Sequence, residues 1–373
     1  MDLGKLQTAA RRRLREQAKK LVLQGVPLTQ APYVIKGAPI LIEGMWQARR
    51  LMTPVSHVTT HQDLVKTQKE TLGACPLCGG ACIRLLCQAE RRKDDGTIAW
   101  SYQAGQCPDC GLLRRFPAIK ASRVADLYKG KGYNAFLSGT YAADRVRRYR
   151  LTIDAFDQFV AKGAGRRLLD FGCGNGLFLE LAEKRGYETW GVDIGPDNVD
   201  AARERLGHDR VFQGEVDHVP AIADGGFDII TMWSVLAHLA DPAAVLARLR
   251  RLLNPGGVLL ILTVNAQSLQ LRTFRGGWSG FTRNHLMFFD HRTLPRLLQS
   301  AGFSGVAFRM FYGETIEAGT TKLSKEQAAR YRNVVDSRQC GNMMRAVAVN
   351  GPTETVPLQG IIELSPAAQI RAG

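Results

Sequence analysis

The sequence predicts an α/β protein built on a doubly wound parallel sheet, preceded by a small four-cysteine module and a basic extension. Three observations predict it. From Arg166 to Val264, short apolar runs alternate with helix-length amphipathic ones, the pattern of strand–helix–strand units. The first run, RRLLDFGC, leads straight into the turn Gly172-Cys173-Gly174-Asn175-Gly176, whose glycines cost backbone entropy and so imply a required turn geometry. Upstream stand two C-x2-C pairs, Cys75/Cys78 and Cys107/Cys110, with 28 residues between them.

Residues 1–70 read as a basic extension. Leu3, Leu6, Ala10, Leu14, Ala18 and Leu21 recur at three- and four-residue spacing, with Arg11, Arg12, Arg13, Arg15, Lys19 and Lys20 mostly on other faces. This predicts an amphipathic basic helix, stopped by Gly25 and Pro27. Residues 33–44 suit a short hairpin and 45–70 a polar linker. The net charge of +16 is uneven: residues 1–60 hold 10 basic against 3 acidic residues, 111–150 hold 10 against 2, and 151–373 hold 24 against 23. Residues 1–60 and 111–150 therefore suit an anionic surface or nucleic acid, or simply solubilise the chain. No run approaches the roughly 18 apolar residues of a membrane span. Eight cysteines, four of them in C-x2-C pairs and with no apolar secretion signal before them, point to a reducing cytoplasm.

Residues 71–115 carry the cysteine module. Each pair has a proline after its first cysteine and a glycine after its second, so that backbone N–H groups can approach the thiolate sulfurs. The segments IRLLCQAE and TIAWSYQAG suit strands joined at Asp94-Asp95-Gly96. Four such sulfurs predict a structural zinc ribbon, with Cys75, Cys78, Cys107 and Cys110 as ligands; a rubredoxin-like iron site uses similar knuckles. Cys82 and Cys87 fall on a strand, where packing accounts for them. Residues 116–150 form a basic, aromatic-containing connector, suited to packing on the next domain or to stacking on nucleic acid.

The main domain is expected over 151–350. Helices follow at LFLELAEKRG, closed by Gly186, and at PDNVDAARERLG, opened by Pro196 and closed by Gly207. Strands are expected at YETWGVDI, RVFQG, FDIITMWSV and GGVLLILTV, with a last one at MMRAVAV; Asp241 should cap the helix from Pro242. Residues 314–340 suit a cap helix, and 351–373 an irregular tail. The turn is not a dinucleotide fingerprint, because the third glycine of that motif would fall at Leu177. Asp193 ends the second strand, where a carboxylate can accept bonds from two ribose hydroxyls.

LLDFGCGNG, GVDI, QGEVD, FDIITMWSVLAHLADP, LLNPGG and NHLMFFDHRTLPRLLQSAGF together resemble the Rossmann-like, class I S-adenosylmethionine-dependent methyltransferases, in particular bacterial members with an N-terminal zinc ribbon. The resemblance covers about residues 72–312. It implies a seven-stranded sheet with its last strand antiparallel, and S-adenosylmethionine as cofactor. It places Asp170, Phe171, Gly172, Cys173, Gly174 and Gly176 at the methionine end, and Asp193 on the ribose with Ile194 against the adenine. Glu215 and Val216 would flank the adenine edge, and Trp233 and Ser234 the sulfonium. An acid common between the leucine and histidine of the fourth-strand segment is here Ala237.

Methyl transfer is an in-line displacement in which positioning supplies most of the rate, and a base is needed only for a protonated acceptor. His238 and His285 are the candidate bases, although each better suits a structural histidine bonded to a backbone carbonyl. Arg272, Arg275, Trp278 and Arg283 lie in an insertion expected to cover the acceptor. The acceptor is expected to be a small molecule, a glycan or a lipid-linked group. RNA methylation using the ribbon and basic extension is the alternative, and a non-catalytic cofactor-binding module a second one.

Overall fold

The computed structural model describes residues 74–119 (except 82 and 93–95), 124, 142–160, 165–215, 226–311, 335, 338–351 and 361–362. All belong to one compact unit, Val55–Ile316 with Arg332–Gly373. The expected N-terminal helix, hairpin and linker lie outside the described residues, as do Cys82, Val216 and nearly all of the cap helix. No described helix is long and apolar enough to cross a membrane.

The main sheet runs β10-β11-β8-β7-β4-β5-β6, from β4 (Arg167–Phe171), β5 (Glu188–Asp193), β6 (Val211–Gln213), β7 (Phe227–Trp233), β8 (Leu253–Val264), β10 (Gly305–Phe311) and β11 (Met343–Val349). β4 to β8 pair in parallel, whereas β11 is antiparallel to both β8 and β10. This is the seven-stranded sheet with its last strand reversed. The helices are α1 (Ala142–Phe159), α2 (Leu177–Glu183), α3 (Pro196–Leu206), α4 (Pro242–Leu252), α5 (Leu269–Phe274) and α6 (Thr293–Ser300).

Strand periodicity explains the layering. Leu168, Ile229, Val258, Leu260 and Leu262 pack in one core with Ile153 and Phe156 of α1, Phe178 of α2 and Val199 of α3. Their neighbours Leu169, Ile230, Leu259 and Ile261 pack in the other, with Leu246 and Leu249 of α4 and Leu294 and Leu297 of α6. Side chains alternate across a strand, so each apolar run feeds both faces, and buried parallel strands read as continuous rather than alternating. Local signals act where expected: Gly207 closes α3 with φ 69°, and Asp241 accepts the Ala244 N–H at the start of α4.

Two boundaries differ from expectation. α1 runs through residue 150 without a break, carrying the end of the connector into the domain; its Arg145 and Arg148 are buried. The tail is not wholly irregular, because Ile361 and Ile362 are helical and fully buried in the core around α1 and α2. Their apolar pair finds a hydrophobic surface that local sequence does not announce.

Upstream, β1 (Arg84–Arg92), β2 (Ile98–Gln106) and β3 (Leu113–Phe116) form an antiparallel sheet. Its fourth strand is β9 (Met287–Phe288), contributed by the main domain. The two modules are thus joined by backbone pairing.

Candidate active site

The carboxyl ends of the parallel strands form one edge, where ligands bind in open α/β sheets. The glycine turn leaves β4 there with Gly172, Gly174 and Gly176 at φ 79°, 55° and 74°, a region that disfavours side chains. Gly172 is also forced by contact: a Cβ would lie 2.2 Å from Val235 Cγ2. At Gly176 a Cβ would come within 3.1 Å of Ala202 on α3. The turn is bonded to the neighbouring strand, Gly172 N–H donating to Val192 O at 2.7 Å.

Asp193 is the fastening point. Its Oδ2 accepts Gly174 N–H at 2.9 Å, and its Oδ1 accepts Gly195 N–H at 2.8 Å and Asn198 Nδ2–H at 3.0 Å. A carboxylate offers about four lone-pair positions; three are used, and the open one is on Oδ2. The sequence suggests two hydroxyl partners here, whereas the geometry leaves room for one. Asn198, which sequence reasoning missed, is the reason.

Asp170 is buried within β4 and accepts Thr231 Oγ1–H at 2.7 Å. Burial pushes its carboxyl from the ordinary 3.8 up to about 7, opposed by the Thr231 bond and aided by the nearby Asp193 charge. Trp233, at the end of β7, lies in an aromatic group with Tyr149 of α1 and Phe178 of α2 (centroids 4.7 and 5.0 Å). Its buried Nε1 has no partner among the described residues. Ser234 is exposed with φ 60°, Ile194 is half-buried and Glu215 is exposed. Phe171 and Cys173 are buried. The described candidate cofactor residues therefore collect at this one edge.

His238 and His285 meet edge to face, centroids 4.5 Å apart. His238 Nδ1 faces Asn284 O at 3.1 Å and His285 Nδ1 faces Gly280 O at 2.7 Å. A carbonyl only accepts, so His285 Nδ1 carries the proton, whereas His238 also has the Ser234 backbone as a partner. Desolvation lowers His238 to about 3, helped by His285, and lowers His285 to about 4; both are neutral at pH 7. His285 Nε2 keeps its lone pair and has no hydrogen-bond partner among the described residues. In the insertion, Trp278 is fully buried and packs on Phe281 and Phe288, so it belongs to the core. Arg272 binds Gln267.

The four cysteines converge, with all Sγ atoms within 4.8 Å of one another and two pairs at 3.6 Å. Tetrahedral zinc with bonds of about 2.3 Å needs sulfurs about 3.8 Å apart, so the donor set fits. The knuckles match: Cys75 N–H donates to Gly80 O and Cys107 N–H to Leu112 O, with Gly79 and Gly111 at φ 74° and 83°. Such a closed site supplies folding energy.

The fold is an open, doubly wound α/β sheet with its last strand reversed and a glycine turn at its strand-end edge. Residues 141–307 match the methyltransferase domain family. A Psychrobacter cryohalolentis ubiquinone biosynthesis O-methyltransferase is 35% identical over 128 residues, which are 33% of this chain and 50% of that protein. A Serratia marcescens malonyl-[acyl-carrier protein] O-methyltransferase is 38% identical over 106 residues, 28% and 41% of the two chains. The chain thus spans half or less of the length of these curated relatives. A SAM-dependent methyltransferase structure from Archaeoglobus fulgidus aligns over 59% of this chain and 100% of its own, at 24% identity and a TM-score of 0.43.

Proposed function

We propose that this chain transfers a methyl group from S-adenosylmethionine to a hydroxyl of a small-molecule acceptor. The observation that carries this is the bond from Gly174 N–H to Asp193 Oδ2, which holds a three-glycine turn against the open end of the sheet. The domain match over 141–307 supports the cofactor, and the printed activities of the relatives, both O-methyltransferases, support oxygen as the acceptor atom.

When bound, the cofactor supplies an activated methyl on a sulfonium. The chain's own residues do the rest. Asp193 would take a ribose hydroxyl on its open Oδ2 position, with Ile194 and Glu215 beside the adenine. The glycine turn and Asp170 would line the amino-acid end, and Trp233 and Ser234 would border the sulfonium. His285 Nε2 accepts the hydrogen bond of the acceptor hydroxyl, aims its oxygen and receives its proton as the new bond forms. His238 braces that ring. The four cysteines would hold a structural zinc.

The alternative of RNA as acceptor loses support in the connector. Arg114, Arg145 and Arg148 are buried, which removes three of the ten basic residues of 111–150 from solvent.

Calorimetry with S-adenosylhomocysteine should give one site per chain, and labelled methyl from S-adenosylmethionine should enter the small-molecule fraction of a cell extract. His285→Gln should leave cofactor affinity unchanged and lower turnover about 10²-fold or more. Absence of cofactor binding overturns the reading, and ribonuclease-sensitive label replaces it with RNA methylation.

A further inference from the structure

The ribbon and the acceptor side share one piece of backbone. β3 pairs antiparallel with β9 through Leu113↔Phe288 and Arg114↔Met287. Arg115 N–H donates to Leu286 O at 2.9 Å, its Nη1 donates to Arg283 O at 2.8 Å, and its guanidinium lies 4.5 Å over the Tyr102 ring. Tyr102 in turn meets Phe281 edge-on at 6.1 Å. Behind the insertion, Gly276 is pressed so close to β1 that a Cβ would lie 1.8 Å from Gln88 O.

The same segment is fastened on its other side to the catalytic edge. Leu286 N–H donates to Ala237 O at 2.7 Å, and Ala266 N–H to Phe289 O at 2.8 Å. His285 sits between these two sets of bonds, one residue before Leu286 and packed against His238 and Phe288. By contrast, among the described residues no hydrogen bond joins the ribbon to the glycine turn or to Asp193.

We propose that the four-cysteine ribbon is the rear wall of the acceptor site, and that its metal acts by holding β3 against β9 and so positioning His285. The ribbon is on this view a positioning device for the acceptor, separate from cofactor binding. The inference rests on the reading of His285 as the acceptor-side group. Physically, a segment of two strand residues has too few ladder bonds to persist alone; it is ordered because both sides are occupied.

Hydrogen exchange on the full chain tests this, before and after stripping the metal with EDTA, alongside calorimetry with S-adenosylhomocysteine. Stripping should speed exchange of amides 283–289 by about tenfold or more, with amides 188–193 and cofactor affinity within about twofold. Arg115→Ala in metal-replete protein should speed the same 283–289 amides with metal content unchanged, which keeps the test open if stripped protein aggregates. Protection of 283–289 that survives both treatments overturns the proposal. So does a cofactor affinity that collapses together with that protection, because the metal would then support the whole fold. Failure of the functional reading itself would already show in the untreated protein, as absence of cofactor binding.

Discussion

The proposed cofactor side and the proposed acceptor side of the strand-end edge are assembled over different distances along the chain. Asp193 reaches Gly174 across 19 residues and Asn198 across 5. On the acceptor side, Arg115 reaches Arg283 across 168 residues, and His238 reaches Asn284 across 46. Closing longer loops costs more chain entropy, although the cost grows slowly with length. The cofactor side is fixed by one strand–turn–helix unit and its neighbour. The His285 side is instead fastened by backbone pairing between two modules.

The largest effect should come from the turn. Gly172→Ala must place a Cβ at positive φ and against Val235, and should cost about 3 kcal/mol or more of stability. Gly165→Ala has the same backbone sign, φ 74°, but nothing within 4 Å, and should cost only about 1 kcal/mol. Denaturant midpoints on both variants measure the difference. Equal losses would mean that Val235 yields and that the turn is not constrained by contact.

Next in size is Asp193→Ala. It leaves Gly174 N–H, Gly195 N–H and Asn198 Nδ2 without their acceptor, and should cost about 2–3 kcal/mol of stability. Cofactor affinity should fall by about 1–3 kcal/mol as well, through the lost ribose bond. Unchanged calorimetric affinity in a folded variant would remove Asp193 from the site and with it the cofactor side as drawn.

The same contrast explains what the sequence revealed. Strand and helix periods, the Gly207 and Asp241 caps and the alternation from Arg166 to Val264 are local, so the sheet could be read directly. The glycine turn, Asp193 and the four cysteines are short spacings with a mechanism attached, and they too were legible. The commitment of Asp193 to Asn198 was not, because Asn198 reads simply as a first-turn helix residue. Tyr149 meeting Trp233, Arg115 meeting Arg283, and β9 joining the ribbon are tertiary contacts without a local period. Trp278 was expected in an insertion covering the acceptor; only the fold shows it buried beside Phe281 and Phe288. Ile361 and Ile362 were missed for the same reason.

The smallest expected effect is a difference in titration between the two sides. Asp170 is raised from 3.8 to about 7 by burial, whereas His238 and His285 are lowered to about 3 and 4. Near neutrality Asp170 should therefore change charge and the histidine pair should not. A group raised on folding adds stability that is complete below its unfolded value, near pH 4, and is lost as pH rises through about 7. A ligand carrying an ammonium and a sulfonium favours the carboxylate, so binding should release up to one proton. Its affinity should rise between pH 5 and 7 by up to about tenfold per unit, roughly 1.4 kcal/mol. Asp170→Asn should flatten that rise. Thr231→Val, which removes the hydroxyl that favours the charged form, should move it to higher pH. Calorimetry in two buffers of different ionisation enthalpy counts the proton released. A flat profile in the unaltered protein would mean that Asp170 is already ionised at pH 5, and that its burial at the turn is offset by more than the Thr231 bond.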